Sequence, residues 1–126
     1  TPMEAGLDRF VDFSKCFLGR EATLSRKLLG VNTKLVYVSV ETADSDCLGN
    51  ETVLNPEAPS GKNIIGVTTS GAYGHTVSQS MAFAYVQPKF AKPGTRLEIR
   101  VLGHNCSATV LKEAAYDPQN LRLRDV

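Results

Sequence analysis

Ser70, Tyr73 and His75 lie close together in GVTTSGAYGHTVSQSMAFAYV, Gly66 to Val86, the run of this 126-residue chain richest in groups that could do chemistry. A serine becomes a nucleophile beside a base that an acid in turn orients. Ser70, His75 and Asp117 could fill those roles if folding joined them, but no Gly-x-Ser-x-Gly elbow holds the serine. The plainer reading is a loop histidine beside strand-end hydroxyls. His104 and Cys106 are two apart, yet structural zinc takes four ligands, so a turn histidine and a buried strand cysteine explain the pair without metal.

Other chemistries find less support. Asp44 and Asp46 sit in a polar loop and read as solvated. The Gly61-Lys62-Asn63 run lacks the upstream glycine and the following Ser/Thr of a phosphate-binding loop. Lys89, Phe90 and Lys92 are too few for an RNA platform. The 14 basic and 13 acidic residues nearly balance, which argues against bulk attraction to nucleic acid or to an anionic membrane. No apolar run approaches the ~20 residues that cross a bilayer, and the first residues lack signal-peptide order. The expectation is a soluble chain with neither kind of partner. Three widely spaced cysteines, Cys16, Cys47 and Cys106, without a CxxC pair point to free thiols in a reducing compartment.

The elements that would position these groups follow from periodicity. GLDRFVDF alternates in part and reads as an incoming strand or extended segment, with Leu7, Phe10 and Phe13 offered to a core. CFLGREATLSRKLLG predicts the one helix of any length: Leu18, Ala22, Leu28 and Leu29 fall near one stripe, and Gly30 stops it. The period then drops to two. TKLVYVSVE sets Val36, Val38 and Val40 against Leu35, Tyr37 and Ser39. TADSDCLGN and NPEAPSGKN read as loops, and IIGVTTS as a strand. SMAFAYVQP alternates Met81, Phe83 and Tyr85 with Ala82, Ala84 and Val86. Leu97, Ile99 and Val101 begin a hairpin that turns at Gly103, His104 and Asn105. At least five strands and one helix predict a mainly β barrel or sandwich of one domain.

Two readings of the Gly66 to Val86 run stay open. Gly66, Gly71 and Gly74 suit close backbone approach or positive φ, and Ala82 with Ala84 leave a strand face thin enough for another surface. Alternatively, Ser70, Tyr73 and His75 form the lip of a cleft against another domain.

The ordered motifs TPMEAGLDRFVDFSKCFLGREATL, DSDCLGNETV, IIGVTTSGAYGHTVSQSMAFAYV, KPGTRLEIRVLGHNCSATV and YDPQNLRLRD resemble the C-terminal domain of the glycine cleavage T-protein (aminomethyltransferase) superfamily. Within it they are most similar to the group of dimethylglycine dehydrogenase, sarcosine dehydrogenase and the pyruvate dehydrogenase phosphatase regulatory subunit. The resemblance implies a small antiparallel β-barrel, or distorted jelly roll, with one short N-terminal helix. Residues 1–126 would form a single barrel domain of a longer protein, with no catalytic residue of its own. It would pack on an upstream folate-binding domain of the same polypeptide. Tetrahydrofolate would be held through that parent, and FAD only in a further upstream domain of a dehydrogenase. The Thr69-Ser70-Gly71 turn matches the family's Thr-Ser-Gly motif, which makes Tyr73 and His75 candidates for the lip of the folate cleft. Arg122 and Arg124 are candidates for a folate glutamyl carboxylate, because guanidinium suits bidentate carboxylate recognition; the alternative is a solvated tail. VLNPEAPSGKNIIG is longer than the family's usual hairpin and lacks a common aromatic. The implied location is the mitochondrial matrix in a eukaryote or the cytoplasm in a bacterium. The alternative function is a regulatory protein-interaction domain, as in the phosphatase regulatory subunit.

Overall fold

Alternation of apolar and polar residues builds a barrel. The computed structural model describes residues 1–59 and 63–124. Six strands, β1 (Lys34–Val40), β2 (Thr52–Leu54), β3 (Ile64–Gly74), β4 (Gln79–Val86), β5 (Arg96–Val101) and β6 (His104–Val110), close in the order β1-β4-β3-β2-β5-β6. Every pairing is antiparallel, and β6 returns to β1 through Val38↔Val110 and Val40↔Ala108.

The inward positions are those the period of two selects. Val36, Val38 and Val40 face Ala82, Ala84 and Val86 from β4, Leu97, Ile99 and Val101 from β5, and Ala108 and Val110 from β6. Small and large side chains together fill so narrow an interior. Each fully buried aliphatic side chain, such as Val38 or Ile99, contributes about 1.5–3 kcal/mol relative to exposure. Ala82 and Ala84 therefore supply a thin inner face that lets the barrel close. They offer no face to a partner, as their small size alone had suggested.

Several expectations are corrected. GLDRFVDF is not a strand: Asp8–Phe10 is a single 3-10 turn, Leu7 and Phe10 are exposed, and Phe13 is half-buried against Phe17. The helix α1 (Arg20–Leu29) ends at Gly30 as its sequence predicts, but it buries no side chain, and Leu18, Leu28 and Leu29 stand in solvent. β2 escaped sequence reading because three residues are too few to show a period. The β5–β6 hairpin turns at Leu102-Gly103, both at positive φ, while His104 and Asn105 already belong to β6. Thr69-Ser70-Gly71 is no turn. It lies inside β3, at a bulge where the register with β4 shifts between Thr68 and Ser70. Part of the predicted long loop, residues 60–62, lies outside the described residues; its base is closed by the Asn55 N–H donating to the Asn63 carbonyl at 2.8 Å.

Candidate functional site

The register places the side chains singled out from sequence at the two ends of the barrel. Tyr73 lies opposite Ser80, the last rung but one of the β3–β4 hairpin, and Val40 of β1 ends beside the same Ser80. Tyr73 and His75 meet edge to face there, ring centroids 5.0 Å apart, and both are exposed. Such a pair offers one aromatic face, a phenol and an imidazole to whatever approaches.

Arg122 and Arg124 belong to α2 (Leu121–Arg124), in the tail that leaves β6 towards the opposite end. The Leu111 N–H donates to the Tyr37 carbonyl at 2.8 Å, and Lys112 to Ala114 then run towards Lys34. Asp117 starts α2: its carboxylate accepts from the N–H groups of Leu121 at 2.8 Å and Arg122 at 3.0 Å. The Arg122 guanidinium lies 5.6 Å from the Tyr116 ring centroid. No hydrogen bond, ion pair or aromatic contact among the described residues joins these arginines to Tyr73 or His75. Asp117 is thus occupied with helix N–H groups, and nothing in the described contacts links it to Ser70 and His75.

His104 and Cys106 share β6, with the Cys106 thiol directed at the His104 carbonyl at 3.9 Å. Among the described residues no three His, Cys, Asp or Glu side chains gather as a metal would require.

Packing accounts for the small residues of β3. A Cβ on Gly71 would lie 2.5 Å from the Cys47 carbonyl oxygen, and one on Gly66 would lie 2.2 Å from that of Tyr85. Glycine at 71 lets the 41–51 loop lie directly on β3, with Cys47 wholly buried beneath it. Glu51 then fastens the loop. Its carboxylate accepts from the Leu48 N–H at 2.8 Å, the Gly49 N–H at 3.0 Å and the buried Thr68 hydroxyl, while its own N–H donates back to Thr68 Oγ1 at 2.9 Å. Burial pushes the Glu51 carboxyl up, but the Thr68 hydroxyl and the backbone N–H groups outweigh it and hold it below its ordinary range. The Cys47 thiol is pushed up to about 11, first by burial and then by the Glu51 charge, which makes it inert as a nucleophile.

The feature that sequence reading missed is on the outside of the sheet. Cross-strand rows Leu35–Tyr85–Val67, Tyr37–Phe83–Ser70 and Ser39–Met81–Ala72 run across β1, β4 and β3. Tyr37 and Phe83 stack at 4.9 Å, the Tyr37 hydroxyl reaches Met81 Sδ at 2.6 Å, and Phe83 is 44% exposed. Hollows of about 540 and 310 Å³ flank this stack, and both are lined by it. The alternation of β1 and β4 had displayed these residues on one face. Their exposure could not be read, because period two marks a second face without saying what covers it.

Comparison with known proteins supplies the context. Residues 34–117 match the family model of the glycine cleavage T-protein C-terminal barrel domain. The chain is 38% identical over 127 aligned residues to mitochondrial dimethylglycine dehydrogenase of Rattus norvegicus, covering 98% of this chain but 14% of that protein. It is 37% identical over 122 residues to an aminomethyltransferase of Rippkaea orientalis, 95% of this chain and 31% of the relative. The crystal structure of the glycine cleavage system aminomethyltransferase T from Bartonella henselae superposes with a TM-score of 0.78 at 25% identity, covering 89% of this chain and 31% of that one. The chain thus spans between about one seventh and one third of these relatives, and the matched region is their C-terminal barrel. By the family model and by the closure of its sheet, this chain belongs to the glycine cleavage T-protein C-terminal barrel domain family.

Proposed function

We propose that residues 1–126 form the non-catalytic C-terminal domain of a folate-dependent aminomethyltransferase or a dimethylglycine or sarcosine dehydrogenase-like protein, closing over a tetrahydrofolate site carried by an upstream domain. The observation that carries this reading is the family match over residues 34–117 together with relatives named dimethylglycine dehydrogenase and aminomethyltransferase. The chain's own chemistry is consistent with an accessory role: its buried thiol is inert and its best-held carboxylate is spent on a loop. FAD would be held by a further upstream domain if the parent is a dehydrogenase. The parent would work in the mitochondrial matrix of a eukaryote, a reading supported by dehydrogenase relatives named as mitochondrial, or in the cytoplasm of a bacterium.

Tyr73, His75, Arg122 and Arg124 are the groups this chain would offer to folate. Arg122 and Arg124 are exposed, and neither forms an ion pair among the described residues. A glutamyl carboxylate meeting either would gain a charge-assisted hydrogen bond of about 1.5–3 kcal/mol. Tyr73 with His75 would supply an aromatic edge to a second part of the same large ligand or domain.

Calorimetric titration of the full-length polypeptide with tetrahydrofolate is the test. Arg122→Ala or Arg124→Ala is expected to weaken binding by about tenfold or more, the equivalent of losing one such bond. Tyr73→Ala is expected to have a smaller effect. Unchanged affinity in all three would remove this chain from the folate site. A parent that binds no folate at all would favour the other reading, a regulatory protein-interaction domain, which the exposed Tyr37–Phe83 face also suits.

A further inference from the structure

We propose that Cys47 and Cys106 are a redox pair, two thiols at one end of the barrel that hydrogen peroxide joins in a disulfide, stapling the 41–51 loop to β6. The two belong to opposite walls, since β3 and β6 are separated by two strands on either side of the closed sheet. The loop removes that separation. It sets out beside Cys106, where the Glu41 N–H donates to the Ser107 carbonyl at 2.8 Å, and crosses to Gly71 of β3. Gly71 faces inward, opposite the buried Ala82, and its missing side chain is a notch. A Cβ on that glycine would lie 2.7 Å from the Cys47 Cβ, so Cys47 stands where an inward β3 side chain would, wholly buried. Cys106 comes to meet it: its cross-strand partner Ile99 is fully buried, so Cys106 also faces inward, and it packs against the cluster of buried side chains that contains Cys47. After burial and the Glu51 charge, the Cys106 thiol is the next influence pushing the Cys47 thiol up, which two groups within electrostatic reach explain.

Access sets the order of events. Both thiols are free, but only Cys106 is half-open to solvent: it lines a hollow of about 450 Å³ at the barrel mouth, together with His104 and with Thr42 to Ser45 of the loop. Its thiol makes one weak contact, 3.9 Å to the His104 carbonyl. Hydrogen peroxide entering the hollow gives one oxygen to Cys106; the O–O bond breaks, the sulfur is oxidised by two electrons to a sulfenic acid, and water is released. Cys47 then completes the reaction. Protonated and buried, it is inert toward a reagent in solution, but a sulfenic sulfur held beside it needs no path from solvent. The S–S bond forms as the S–O bond breaks, and the Cys47 proton leaves with the hydroxyl as a second water. In a reducing compartment such a bond is transient and senses oxidant. Because it closes a long stretch of chain, the oxidised barrel is also the more stable one.

Equimolar hydrogen peroxide added to the native polypeptide, followed by tryptic mapping without reductant, tests this. The peptide that contains Cys47 is expected to be joined to the one that contains Cys106, two hydrogens lighter than the separate pair, and to part from it in dithiothreitol. The thermal midpoint is expected to stand several degrees higher before that reduction than after it. Cys47→Ser is expected to leave Cys106 as a sulfenic acid that dimedone captures, and Cys106→Ser to leave Cys47 a thiol after the same treatment. If Cys47→Ser fails to fold, the wild-type map and Cys106→Ser decide. A wild type in which Cys106 ends as sulfenic or sulfinic acid while Cys47 remains a thiol overturns the proposal. A bond from either cysteine to the exposed Cys16 or to a second chain overturns it as well, as does a bond that forms only in urea.

Discussion

The Glu51 carboxylate holds the 41–51 loop on β3 through three donors, and its protonation removes the charge that makes those bonds strong. Because its folded pKa is depressed below the ordinary 4.5, the stability it contributes is complete above about that pH. That contribution is lost as pH falls through the lower folded value. Glu51→Gln is expected to destabilise the barrel by about 1–3 kcal/mol at neutral pH, the usual cost of weakening charge-assisted bonds to buried donors. In urea titrations the gap between wild type and variant should then close in acid, below pH 4.5. A gap that stays constant down to pH 3 would show that the carboxylate charge is irrelevant to the loop. None of this was legible in the sequence. Thr42 to Asn50 could be read as a loop, but its closure by Glu51 depends on Thr68, seventeen positions from that glutamate and inward-facing on β3.

At the scale of elements, legibility followed length and regularity. β1 and β4 each keep an unbroken alternation over seven or eight residues, so both their extent and their inward faces follow from periodicity. β3 is the longest strand, yet its second half could not be read, because the bulge between Thr68 and Ser70 exposes consecutive residues. The β5–β6 hairpin shows a local conflict instead. Register Val101↔His104 leaves a two-residue turn, which requires left-handed backbone at both positions; Gly103 adopts it freely, but Leu102 is held at φ 46° and its side chain is 80% exposed. A non-glycine residue there costs about 1–2 kcal/mol, and asparagine recovers part of it. Leu102→Asn is therefore expected to raise stability by about 0.5–1 kcal/mol, read as an upward shift of the thermal midpoint. A lower midpoint would mean that the exposed leucine is itself in use as a contact.

At the scale of the whole molecule, α1 is the element whose sequence and structure disagree most usefully. Its apolar residues recur at helical spacing, which predicts a buried face, while in the folded chain Leu28 and Leu29 are 78% and 86% exposed and no α1 side chain is buried. Periodicity reports that a face is to be covered and is silent on whether the covering surface lies in the same domain. The family model agrees with that division, since it begins at Lys34 and leaves α1 outside the barrel. A ten-residue helix is below the length at which helices persist alone in water, and among the described residues the ties that hold the segment are exposed or half-exposed ones: the Arg26–Glu4 pair, the Arg20 bonds to the Phe13 carbonyl and Lys27 over the Phe13 ring. Contacts so open to solvent are screened and weak, too little to hold the helix closed. Amide exchange in residues 1–126 alone should therefore be fast across Arg20–Leu29 and slow across β1 and β5, whereas in the full-length polypeptide the helix should exchange as slowly as the barrel. The same slow exchange in both would mean that α1 is stabilised from within the barrel domain, and the apolar stripe would need another explanation. Fast exchange in both would mean that the upstream part leaves the helix uncovered, so that Leu28 and Leu29 await a partner outside the polypeptide.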